Sequence, residues 1–208
     1  MGVTVAKAAT WGPLSTLIGP PPNPVRLPGP DVQLDRQCAL ALSRTGVHPV
    51  ALGIGRGRRL DVPSDEAAEL EAGGATTLVL DLHLRCEPFA TLGQEMAGAI
   101  FPHAAGRSFA CAFLSHGPGV SGLGAHHDGA AVLLMIQFEG RRVVHLADPL
   151  KDVQDPGPGG DRSIKDFHST SSWTLEVGEC LLVPAWTPHL IVSSMASLSV
   201  TIAVKPPA

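Results

Sequence analysis

The chain has 208 residues, of which 44% are hydrophobic and 16% charged, and a formal net charge of -4 at pH 7. It carries enough apolar side chains to bury a core, which excludes a disordered chain, and its length suits one well-buried domain. The acidic balance and the shortness of the basic clusters Arg56-Gly57-Arg58-Arg59 and Arg141-Arg142 exclude a phosphate-tracking stripe, so no nucleic-acid partner is expected.

Residues 1–34 are rich in proline and glycine, with Gly19-Pro20-Pro21-Pro22-Asn23-Pro24 at their centre, and are expected to form an extended arm. A single domain is expected over 35–208. After Asp35, the residues Cys38, Leu40, Ala41 and Leu42 read as a helix, and Pro49-Val50-Ala51-Leu52-Gly53-Ile54 reads as a strand. A second helix is expected from Pro63-Ser64-Asp65-Glu66, with Ser64 as N-cap and acidic residues in the first turn, to Gly73-Gly74. Residues 77–82 are β-rich. Residues 88–100 repeat Phe89, Leu92, Met96 and Ile100 at helical spacing.

Short strands separated by glycine and proline follow, over 109–115, 132–138, 142–146, 173–177, 180–183, 190–193 and 197–204. In the last of these Leu198, Val200, Ile202 and Val204 alternate with Ser197, Ser199, Thr201 and Ala203, giving one apolar face and one small or polar face. Between them the stretch 148–172, with Asp155-Pro156-Gly157-Pro158-Gly159-Gly160, reads as a long flexible loop of the kind used for lids or binding. The expected fold is mainly β: a double-stranded β-helix, the jelly roll of cupins, with a barrel core over about 107–204 and N-terminal helices packed on it.

Cys38, Cys86, Cys111 and Cys180 are scattered without a CxxC pair and read as small buried thiols, not as a zinc knuckle or a disulfide framework. No run is apolar for long enough to cross a membrane, and no secretory signal pattern opens the sequence. A reducing cytoplasm and no membrane partner are expected.

The chemistry is concentrated in Gly122-Leu123-Gly124-Ala125-His126-His127-Asp128 and in Pro184-Ala185-Trp186-Thr187-Pro188-His189. Two imidazoles and one carboxylate on one face of a metal leave three positions open, which suits iron(II), a chelating cosubstrate and O2. On a barrel strand, ligands one residue apart reach the same interior point, so His126 and Asp128 are the expected pair, with His127 turned away and His189 as third ligand. The lone histidines His48, His83, His103, His116, His145 and His168 read as structural. Trp186 reads as core packing.

These segments, with Ile136-Gln137-Phe138-Glu139-Gly140-Arg141-Arg142 and Leu175-Glu176-Val177-Gly178-Glu179, resemble the JmjC-type, cupin-like 2-oxoglutarate and iron(II) oxygenases, above all the ribosomal-protein hydroxylases. The resemblance spans roughly 76–204. It implies that His126, Asp128 and His189 bind iron, and that Arg142 binds the distal carboxylate of 2-oxoglutarate, with Arg141 as runner-up because this chain carries one residue more between Asp128 and Gly140 than the family pattern; strand alternation points only one of the two inward. It implies the same carboxylate for Ser115. The chain ends at Ala208, so the dimerisation region and winged-helix domain of that branch are expected to be absent, and its oligomeric state is not carried over.

The function expected is an iron(II)- and 2-oxoglutarate-dependent hydroxylase, using O2 and acting on a side chain of a peptide, protein or peptide-like natural product. A metal cupin of other chemistry, such as an isomerase or a cosubstrate-independent dioxygenase, and a non-catalytic binding module are the alternatives. A carboxylate clamp at Arg142 distinguishes the first from the second.

Overall fold

The computed structural model describes residues 19–44, 50–54, 59–103, 106–151 and 162–207. Residues 152–161 of the loop expected over 148–172 lie outside the described residues, as do His48 and residues 1–18 of the arm.

In chain order the elements are β1 (Val25–Pro28), α1 (Arg36–Arg44), β2 (Val50–Gly53), β3 (Arg59–Val62), α2 (Ser64–Ala72), β4 (Thr76–Val79), α3 (Leu82–Arg85) and α4 (Glu87–Ile100). The barrel strands follow: β5 (Arg107–Ser115), β6 (Gly119–His126), β7 (Val132–Glu139), β8 (Arg142–Leu146), β9 (Ser171–Leu175), β10 (Glu179–Val183), β11 (His189–Ser193) and β12 (Ser197–Lys205). They form an eight-stranded sheet in the order β1-β10-β7-β12-β5-β4-β2-β3 and a four-stranded sheet in the order β6-β11-β8-β9. All of the strand pairings within the two sheets are antiparallel. The arm's β1 hydrogen-bonds along β10 and so covers one edge of the large sheet.

Alternation along the strands sorts their side chains into two cores. Leu198, Val200, Ile202 and Val204 of β12, with Val132, Leu134 and Ile136 of β7, pack outward against Phe89, Leu92, Met96 and Ile100 of α4. Burying each such side chain stabilises the fold by about 1.5–3 kcal/mol relative to leaving it in water. Leu133 and Met135 of β7 point the other way, to Val144, Leu146 and Leu175 of the small sheet. The interior between the sheets is thus apolar midway and lined at its closed end by the polar face of β12.

The structure corrects the sequence reading at several points. Ser64 is the first residue of α2 and not its cap; Pro63 occupies the N-cap position and no side chain caps the helix. The strand expected over 77–82 ends at Val79, because Asp81 turns left-handed (φ 52) and opens α3, which the reading lacked. The strand expected over 173–177 runs from Ser171 to Leu175. Strand β3 was not anticipated, and β6, the barrel strand expected to carry both His126 and Asp128, ends at His126. In β6, Gly122 (φ 72) and Gly124 (φ 83) adopt backbone that interrupts any period-two pattern. A Cβ on Gly53 would stand 2.5 Å from the Gly122 carbonyl oxygen, so β2 crosses β6 at a distance that only glycine permits.

Candidate metal centre

His126 is the last residue of β6 and His189 the first of β11, and the two are cross-strand partners. Each imidazole is pinned in the same way. His126 donates from Nδ1 to the Gly124 carbonyl at 2.8 Å, and His189 from Nδ1 to the Thr187 carbonyl at 3.1 Å, in both cases two residues back along the chain. Because a carbonyl can only accept, Nδ1 carries the proton and the lone pair sits on Nε2. The rings lie 4.3 Å apart between centroids.

Asp128 lies in the turn beyond β6 and not on the strand, so strand alternation accounts for His126 but not for the carboxylate. Asp128 Oδ2 stands 3.9 Å from His126 Nε2 and 3.6 Å from His189 Nε2. Burial alone raises its pKa, but the two imidazoles, with Lys205 and Arg162, outweigh this and hold the carboxyl below its ordinary value. Burial, with His126 adding to it, lowers His189 to about 4. Near neutral pH the group presents an anion and a neutral imidazole, the protonation state that a cation needs.

His126, Asp128 and His189 each offer one ligand atom, and these atoms all lie within 4.8 Å of one another. Two pinned Nε2 lone pairs and one carboxylate fit a divalent transition metal with open positions. His127 faces away: it is buried, its Nδ1 accepts from the Gly129 N–H at 3.1 Å, and its ring packs against Trp186. Trp186 is only half-buried and left-handed (φ 61); its backbone N–H donates to the Gly129 carbonyl at 2.7 Å, which steadies the turn that carries Asp128.

Arg142 is 1% exposed, at the closed end of the barrel. It donates from Nε to Ser197 Oγ at 2.8 Å, from one terminal nitrogen to Ser199 Oγ, and from the other to the Phe113 carbonyl at 2.7 Å and Ser115 Oγ at 3.2 Å. Ser193 Oγ donates to Ser115 Oγ at 3.1 Å. No carboxylate pairs with Arg142 among the described residues, and burial, reinforced by Arg36, lowers its pKa to about 9. Nearby, the buried amide oxygen of Gln137 has no partner among the described residues. Arg141 is exposed and pairs with Glu176 at 2.6 Å, so alternation turns Arg142 inward.

Along β11, His189, Ile191 and Ser193 sit opposite Leu146, Val144 and Arg142 of β8. They run from the candidate metal ligands at one end to the guanidinium at the other. A cavity of about 310 Å³, with His126, Asp128, His189, Ile191, Met135 and Thr201 on its walls, occupies the open end. The sequence reading missed Gln137, Ser193, Ser197 and Ser199. The small-and-polar face of β12 was the signal for the last two.

A protein-family model described as JmjC domain matches residues 94–208. The chain belongs to the JmjC domain family. Its fold is that of E. coli YcfD: one solved structure of YcfD aligns at a TM-score of 0.64 and 18% identity, covering 97% of this chain and 54% of YcfD. A structure titled as YcfD, a ribosomal oxygenase from E. coli, in complex with cobalt and 2-oxoglutarate aligns at a TM-score of 0.61, 18% identity, 89% of this chain and 49% of that one. Another, with cobalt and succinic acid, aligns at 0.59, 18% identity, 89% and 48%. The JmjC chain described here thus spans about half the length of these structures. No curated protein matches this sequence. No helix among its described residues is long and apolar enough to cross a membrane.

Proposed function

We propose that this JmjC chain is an iron(II)- and 2-oxoglutarate-dependent hydroxylase that uses O2 and acts on a side chain of a peptide, a protein or a peptide-like natural product. Arg142 carries the reading. A guanidinium 1% exposed, held by neutral acceptors and without a carboxylate among the described residues, is costly to bury unless an anion completes it. It shares a barrel with a facial set of two histidines and one aspartate. A cosubstrate with a metal-chelating end and a second carboxylate answers both features.

In this reading His126 and His189 hold iron(II) through Nε2 and Asp128 through its carboxylate. Arg142 grips the distal carboxylate of 2-oxoglutarate, with Ser115 beside it. Bound iron(II) with this cosubstrate supplies the oxidising chemistry: decarboxylation to succinate and CO2, coupled to the transfer of one oxygen atom of O2 into a C–H bond. The protein's residues supply position. The carbonyls of Gly124 and Thr187 orient the imidazoles, and the apolar side chains Ile191 and Met135 wall the cavity between metal and clamp. A cupin isomerase has no use for the buried cation, and a binding module has no use for the pinned ligands. The substrate class rests on fold-level analogy with the ribosomal oxygenase. The four free cysteines fit a reducing cytoplasm.

The test is succinate formation from 2-oxoglutarate with added iron(II), with and without candidate peptides. Succinate that requires His126, Asp128, His189 and Arg142 is the expected result. Metal binding without any turnover or binding of 2-oxoglutarate would overturn it.

A further inference from the structure

The inner face of the large sheet continues past the cavity that holds the metal ligands. On β12, Thr201 and Ala203 line the cavity wall, and on β5 their cross-strand partners Cys111 and Phe109 do the same. By strand alternation the next residue on this face is Lys205 on β12 and Arg107 on β5, and the register sets these two opposite each other. On the other side of β12, Val204 is the partner of Val132, the first residue of β7, so Lys205 lies beside the turn that runs from Asp128 to Ala131. Two cations therefore stand side by side at the mouth of the cavity.

This pairing is unfavourable as it stands. Like charges directly opposite on neighbouring strands repel. Arg26, Arg36, Arg44, Arg59 and Arg141 each hold a carboxylate. Arg107, which is exposed, and Lys205, which is half-buried, make neither an ion pair nor a side-chain hydrogen bond among the described residues. The field of Lys205 also reaches the metal ligands: after His126 and His189, it is the next group that holds the Asp128 carboxyl down against burial.

We propose that Arg107 and Lys205 form an anion site at the mouth of the cavity, which takes the carboxylate side chain of a peptide seated over the metal ligands. The planar fork of Arg107 suits both oxygens of a carboxylate, and Lys205 adds a point charge beside it. Phe109, 42% exposed and next to Arg107 on the same face, gives the methylene stem of an acidic side chain an apolar surface. Asp81 and Asp128 on the same cavity wall repel a phosphate dianion more strongly than a carboxylate, which favours the singly charged group. That the peptide so held is then hydroxylated rests on the proposed function; the anion site does not.

The test uses the full chain without metal and three probes: N-acetyl-glutamate methylamide, its neutral counterpart N-acetyl-glutamine methylamide, and N-acetyl-phosphoserine methylamide. Backbone-amide NMR reads each titration at residues 107 and 205, apart from buried Arg142. Absence of iron(II) or 2-oxoglutarate binding, measured separately, would therefore sink the hydroxylase reading and leave this one standing. The glutamate probe should bind about tenfold more tightly than the glutamine probe, and more tightly than phosphoserine. Arg107→Gln and Lys205→Gln should each remove about threefold of that preference, and Arg107→Lys should keep it. Arg107→Gln should also raise the thermal midpoint of the probe-free chain by about 1–2 °C as the repulsion is relieved, whereas a merely structural arginine would lower it. Equal binding of glutamate and glutamine, tighter binding of phosphoserine, a preference that survives both glutamine variants, or a lowered midpoint would each overturn the assignment. If either variant fails to fold, raised salt on the unmodified chain decides: it should weaken the glutamate probe and spare the glutamine one, and no effect of salt would overturn the site.

Discussion

At the scale of the residue, the site depends on which atoms are spoken for. The Nδ1 bonds to Gly124 and Thr187 leave one lone pair on each imidazole, aimed at Asp128. His126→Ala, Asp128→Ala and His189→Ala should each lower manganese(II) or iron(II) affinity at least tenfold in an anaerobic titration, whereas His127→Ala should leave it within about twofold. Loss at His127 with retention at His126 would place the ligand one residue further on. For the clamp, Arg142→Ala should weaken 2-oxoglutarate by about 3 kcal/mol, or more than a hundredfold, and spare the metal, because the carboxylate loses its only charged partner. Arg141→Ala removes an exposed pair with Glu176 and should change 2-oxoglutarate affinity little. Calorimetry on manganese-loaded protein separates the two arginines, and the reverse pattern would exchange their roles.

At the scale of the element, β6 bears the greatest constraint. It carries His126 at its end, pairs with β11 on one side, and near His126 meets the segment 162–164, whose Ile164 N–H donates to the Ala125 carbonyl at 2.9 Å. Gly122 sits at φ 72, with the Phe113 ring 3.2 Å from where a Cβ would be. Gly122→Ala should therefore cost about 1–2 kcal/mol in denaturant unfolding from left-handed backbone alone, and should weaken metal binding by shifting the end of the strand. Gly117, with nothing within 4 Å of an added Cβ, is the control. Equal effects at the two glycines would show that β6 tolerates side chains there.

At the scale of the whole molecule, buried His189 and half-buried His116 tie stability to pH. His189 lies at about 4 through burial and the neighbouring His126, and burial also lowers His116, beside Glu71, Arg36 and Arg44. A lowered histidine pKa means that the unfolded chain takes up protons that the fold refuses. Stability is thus complete above the ordinary value of 6.5 and falls as pH drops from there toward 4, by at most about 1.4 kcal/mol per pH unit for each histidine. Denaturant midpoints of the metal-free chain at pH 7.5 and 5.5 check this, and a midpoint that holds or rises on acidification would contradict it. Manganese(II) at pH 7.5 should raise the thermal midpoint, and this effect should be lost as pH falls toward the lowered His189 value of about 4, where protons compete for its Nε2.

The jelly roll, and the grouping of His126, Asp128 and His189 into one candidate metal set, were legible in the sequence because each rests on a local rule. Period-two alternation marks β12, helical spacing marks α4, and two histidines and an aspartate near glycine-rich turns mark the metal set. Arg142 was legible up to the choice against Arg141, which burial decides. Other features answer to neighbours distant in sequence. The close crossing of β2 over Gly122 of β6 has no local signal, and Asp128 joins the histidines from a turn, not from strand alternation. Asp81 read as part of a strand, since nothing local reports the left-handed backbone that follows β4 and opens α3. Sequence determined which residue types lie on which face, because alternation and helical period are properties of the chain itself. Only the tertiary structure decided which of those faces meet, because Ser115, Arg142, Ser193, Ser197 and Ser199 converge from β5, β8, β11 and β12 only once the two sheets have closed on each other.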